Sequence, residues 1–132
     1  MTLEDWGAAM AFKIDKNGNI TMIQGDSGLI TIRGLNPNKN FTVYFAIRDK
    51  NRKPVGDELS VSSNNETYVV FKLTGDFTDL LTVKKDETCA IYYYGIKICD
   101  EDSQREDTLT VGSDEIGGVN TITVYPKKVE GD

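Results

Sequence analysis

The sequence predicts an all-β fold, an antiparallel β-sandwich of about eight strands with one short helical turn. Three observations carry this. Apolar residues recur at every second position in several runs, turn residues separate those runs, and a single segment has helical character. A sandwich fits better than a small barrel because several runs have one dry face.

Phe12 to Asp15 and Ile20 to Gln24 flank Lys16-Asn17-Gly18-Asn19, and Asn-Gly between apolar runs marks a hairpin. A calcium loop over Asp15, Asn17 and Asn19 is disfavoured, because Gly18 stands at the fourth position and the closing Glu is missing. Leu29 to Arg33 alternates and stops at Gly34, after which Asn36-Pro37-Asn38 turns the chain. Phe41 to Arg48 places Phe41, Val43, Phe45 and Ile47 inward. Asp49 to Pro54 reads as a solvated turn and Val55 to Val61 as an irregular edge strand. Thr67 to Leu73 carries Val69, Phe71 and Leu73 on one face, and Gly75 ends it. Asp76 to Leu81 is the helical segment, with Asp76 as N-cap and Asp79 in the capping-box position.

Ala90 to Ile98 is the longest strand. Tyr92, Tyr94, Ile96 and Ile98 share one face, Ile91, Tyr93 and Lys97 the other, which puts Tyr92 and Tyr94 in the core and Tyr93 outside. The acidic stretch Asp100 to Asp107 reverses the chain into Thr108 to Val111, and Asn120 to Tyr125 closes the set before Pro126. That acidic stretch lacks the Gly and ligand periodicity of a metal loop and reads as a solvated hairpin tip. No internal repeat is evident.

With 132 residues the chain fits one domain, divided here into an N-terminal arm over residues 1–10 and a single β-sandwich over residues 11–132. At this length a core needs neither metal nor disulfide. Cys89 and Cys99 bracket the longest strand, and if that strand is continuous their Cα atoms lie about 33 Å apart, far beyond the ~7 Å limit for a disulfide. Both are read as free thiols.

The net charge of −6 and pI near 4.7 argue against nucleic acid and anionic membrane surfaces as partners. No stretch approaches the roughly 18 apolar residues of a membrane span. The chain contains no histidine, which removes the usual general base, the commonest metal ligand and every Ser-His or Cys-His pair. We therefore expect no enzyme, no catalytic residue, no metal and no cofactor. The carboxylates show no spacing that selects an acid and a nucleophile for a hydrolase. Trp6 in the arm and Tyr93 on the sandwich remain as candidate partner contacts, an aromatic anchor being a natural hot spot.

The order of these motifs resembles the N-terminal domain of phage baseplate upper proteins. The residues that carry the likeness are Ile23-Gln24-Gly25-Asp26, Phe41 to Asp49, Val70-Phe71-Lys72-Leu73, Tyr92 to Lys97, Asp107 to Gly112, and Asn120 to Pro126. The resemblance spans about Ile20 to Pro126. It implies an immunoglobulin-like sandwich in a tailed phage or prophage particle, a virion structural protein at the baseplate or as a tail accessory. It further implies other tail or particle proteins as partners and no catalytic residues, and homo-oligomeric assembly through the arm and the open sheet edges is expected. A carbohydrate-binding or cell-surface adhesion sandwich is the alternative, and it requires Tyr93, Trp6 and Tyr125 to be exposed and roughly coplanar.

Overall fold

A computed structural model describes residues 2–5, 12–109 and 120–127 of the chain. Among these residues ten strands and one helical turn form two sheets. The smaller sheet joins β1 (Thr2–Asp5), β4 (Gly28–Arg33) and β7 (Tyr68–Leu73). The larger runs β2 (Lys13–Ile14), β3 (Ile20–Ile23), β10 (Asn120–Tyr125), β8 (Ala90–Asp100), β5 (Phe41–Arg48) and β6 (Leu59–Ser62), with β9 (Glu106–Leu109) also paired to β8. Among the described strands the chain changes sheet five times, between β1 and β2, β3 and β4, β4 and β5, β6 and β7, and β7 and β8, so the two sheets are interwoven and enclose one core.

Alternation governs the core. Ile30, Ile32, Val69, Phe71 and Leu73 point inward from the smaller sheet, and Ile20, Met22, Val43, Phe45, Ile47, Tyr92, Tyr94, Ile96, Ile98, Ile122 and Val124 from the larger, all buried. Phe45 stands at the centre, its ring 5.3 Å from Tyr94 and 5.7 Å from Phe71 across the sandwich. Phe12, just before β2, swings into the gap between the sheets and fills the place where a side chain on Gly28 would point. A Cβ built on Gly28 would lie 2.4 Å from the Phe12 ring. Small at position 28 and large at position 12 are thus one packing decision.

The β2–β3 hairpin forms as expected around Gly18, whose φ of +82° suits glycine. The Asp15 carboxylate accepts the Asn17 and Asn19 N–H groups, both at 2.9 Å. It organises its own turn in this way. Tyr92 and Tyr94 are buried and Tyr93 lies on the outer face, as alternation requires.

Several expectations are corrected. The sandwich is not wholly antiparallel: β3 pairs with β10 in parallel, Ile20 opposite Ile122 through Ile23 opposite Tyr125. The helical turn α1 is Gly75–Thr78, and its N-cap is Thr74 rather than Asp76. Thr74 has extended dihedrals, and its hydroxyl accepts the Phe77 N–H, whereas Asp76 already lies inside the turn. The strand expected over Val55 to Val61 is confined to Leu59–Ser62, preceded by a lone bridge between Arg48 and Pro54. β9 begins at Glu106, so the acidic turn is shorter than expected. Thr2–Asp5, within the expected arm, pairs with β4 as an edge strand.

Candidate protein-contact surface

The outer face of the larger sheet follows from strand register. Thr121 lies opposite Tyr93, Thr123 opposite Ile91, Thr21 beside Thr123, and Ile23 beside Tyr125. Residues paired in register share a face. Thr21, Ile23, Ile91, Tyr93, Thr121, Thr123 and Tyr125 therefore form one continuous outward surface without a charge. Ile91 is 51% exposed and Tyr125 39%, while Tyr93 is half-buried. Lys13, exposed at the β2 margin opposite Thr21, adds a charge at the sheet edge.

Farther along the same face the surface becomes charged and dips. Gly95 pairs with Ala46, so two residues without bulk stand opposite one another. A Cβ on Gly95 would meet nothing within 4 Å. Two depressions meet there, one of about 510 Å³ lined by Arg48, Asp49, Lys50, Arg52, Tyr93 and Gly95, the other of about 250 Å³ reaching Tyr44, Glu58, Lys97 and Thr108. An interior glycine in the longest strand was the sequence signal for this feature. Reading Asp49 to Pro54 simply as a solvated turn passed over it.

Beyond the Gly95 dip the acidic turn closes β8 onto β9. The Asp100 carboxylate accepts the Asp102 N–H at 3.0 Å and the Ser103 N–H at 3.4 Å, and pairs with the Lys39 ammonium at 3.3 Å. Partial desolvation works in the opposite direction, yet these bonds hold the Asp100 carboxyl below the usual range. Cys99, on the outer face between Thr42 and Glu106, has its thiol pushed up by desolvation and then by Glu106, Glu101 and Asp100. Cys89 and Cys99 are both free, at the two ends of a continuous β8.

A further depression of about 500 Å³ lies where Gly25 meets Gly75, lined by Asp26, Asp76, Asp79 and Lys127, with Lys127 ion-paired to Asp79. Among the described residues no group of three or more Cys, Asp or Glu is placed to hold a metal ion. No helix there is long and apolar enough to cross a membrane.

Of the two candidate contact residues, Tyr93 lies on this outer face, and Trp6 lies outside the described residues. Tyr93 and Tyr125 share the face but do not form one platform. Tyr93 is opposite Thr121, which places Tyr125 roughly 13 Å along β10 at ~3.3 Å per residue.

No family model matches the chain, and no curated protein sequence matches it. Among solved structures, the periplasmic chaperone SfaE is similar over 98% of this chain and 59% of its own length, with a TM-score of 0.58 at 5% identity. The structural-genomics target SoR45 aligns over 91% of this chain and 81% of its own, with a TM-score of 0.32 at 15% identity. The likeness to SfaE is one of fold: this chain is an all-β, immunoglobulin-like sandwich.

Proposed function

We propose that this chain is a non-catalytic structural module that works by binding proteins, and that its setting is a tailed phage or prophage particle. One observation carries the protein-contact reading. In a chain with 27% charged residues and a net charge of −6, the patch of Thr21, Ile23, Ile91, Tyr93, Thr121, Thr123 and Tyr125 carries no charge, and Lys13 and Arg48 border it. Depletion of charge with retained aromatic and aliphatic surface is the composition of an interface centre rather than of ordinary solvated surface.

The phage setting draws its support from the order of sequence motifs that resembles baseplate upper proteins. A multi-copy particle is also where a small rigid sandwich with an uncharged outer face has use. The carbohydrate alternative is less well supported, because Tyr93 and Tyr125 stand too far apart for a single sugar ring to stack on both.

Mass spectrometry of purified particles from a host carrying the gene tests the setting, and the chain should be found there in several copies. Its absence from particles would sink that reading. Ile91→Lys with Tyr125→Lys tests the contact: both side chains are exposed, so the variant should fold normally and yet fail to join the particle.

A further inference from the structure

The turn after β5 gathers Arg48, Lys50, Arg52 and Lys53 within a few residues. The acidic residue among them, Asp49, serves its own turn, its carboxylate accepting the Asn51 N–H at 2.8 Å and the Lys53 N–H at 3.0 Å. Among the described residues Arg48, Lys50 and Arg52 form no ion pair. These three line the larger depression with Tyr93, and the bare backbone of Gly95 is its floor. A glycine inside a strand weakens the strand and marks a place where another chain can approach closely.

At the far end of β8 the molecule offers the complement. The turn from Glu101 to Arg105 is exposed and ordered: Glu101 N–H donates to Asn40 O at 3.0 Å, Gln104 N–H to Asp100 O at 2.7 Å, and Gln104 Nε2 to Glu101 O at 2.7 Å. Lys39 engages Asp100 and Arg105 engages Asp107, whereas the carboxylates of Glu101, which accepts the Thr42 hydroxyl, and of Asp102 form no ion pair among the described residues. From Tyr93 to Asp100 along β8 is roughly 23 Å at ~3.3 Å per residue, so tip and depression cannot meet within one molecule.

We propose that they meet between copies. The acidic tip of one molecule seats in the Gly95 depression of the next, with Glu101 and Asp102 against Arg48 and Lys50. The two surfaces differ, so the contact is head-to-tail and either closes into a ring or continues as a filament. This rests on the protein-contact reading and names a second copy of the chain as one of its partners.

Sedimentation velocity on the full chain tests it. At low salt the wild-type sedimentation coefficient should rise with concentration, and at ~1 M salt, where the Debye length is about 3 Å, it should fall to the monomer value. Arg48→Glu with Lys50→Glu should abolish association, and so should Glu101→Lys with Asp102→Lys. An equimolar mixture of the two variants should associate again, since each then carries the complement of the other. Near-UV circular dichroism checks that both fold. If either does not, the neutral pair Arg48→Gln with Lys50→Gln must remove the salt-dependent association. A wild type that stays monomeric at low salt, or associates equally at ~1 M salt, overturns the proposal, as does a mixture that fails to recover. A monomeric wild type that is nonetheless found in particles overturns this inference and leaves the protein-contact reading standing.

Discussion

Replacing Gly28 by alanine separates the packing of the sandwich flank from every other effect at that position. The new methyl carbon would lie 2.4 Å from the Phe12 ring, with two further ring atoms at 2.5 and 2.6 Å. Carbon atoms settle at about 3.5–4.0 Å, so the ring must retreat by more than ~1 Å or leave the core. Phe12 is 3% exposed and surrounded by packed side chains, which leaves it little room. Overpacking of this kind costs about 1–3 kcal/mol, and expelling the ring would cost a similar amount in lost burial. We expect a loss of about 2–3 kcal/mol in urea unfolding, a large part of the ~5–15 kcal/mol available to a domain. The sign should reverse without the ring. Gly28 has no positive φ, so in a Phe12→Ala background the same alanine should be neutral or stabilising by about 0.4–1 kcal/mol through the unfolded state. The assay is a double-mutant cycle in urea. Equal destabilisation in both backgrounds, or none in the wild type, would refute the argument.

Three further outcomes follow from titrating groups on β8. Burial, then the charge of Asp15, raises the Tyr94 phenol, whose O–H donates to Gly18 O. This contribution is complete below the ordinary tyrosine value near 10 and is lost as pH rises toward the raised one. Tyr94→Phe should therefore cost about 1–2 kcal/mol at pH 7 and flatten the alkaline fall in the urea midpoint; an unchanged profile would count against it. Asp100 is depressed, so its stabilising effect is present above the ordinary carboxylate value of ~3.9 and is lost as pH falls through the lower one. Carbon-detected NMR should find its midpoint below that of a peptide aspartate, and a midpoint at or above it would contradict the hydrogen bonds described. The Cys99 thiol should alkylate more slowly than glutathione at pH 8 and faster after Glu106→Gln, while an unaltered rate would remove Glu106 as a cause.

Local alternation made much of the fold legible. In β5 and β8 each inward residue could be named from parity alone, and Tyr92, Tyr93 and Tyr94 fell on the faces that parity assigns. Pairing was not legible, because the residues of β3 say which face is dry and nothing about which strand lies alongside. The parallel β3–β10 pair is a property of the whole chain path. The helix cap was ambiguous for a local reason: Thr74 and Asp76 are both good N-caps, and the choice lies in where extended dihedrals end. The contact face was half visible. Tyr93 stood out as outward, but the uncharged patch exists only once Ile91, Thr123 and Thr21 are in register. The Gly95 dip likewise needs Ala46 opposite it, a fact that no single strand contains.

The parallel pairing of β3 and β10 also determines how the molecule bears force. Once β1 and β2 have peeled away, a pull that separates the two ends of the chain draws β3 and β10 past each other along their length. The ladder that ends with Gln24 N–H on Tyr125 O at 2.9 Å is then loaded in shear, all its bonds together, rather than unzipped one at a time. Such a clasp lets this small sandwich transmit tension while its core stays closed.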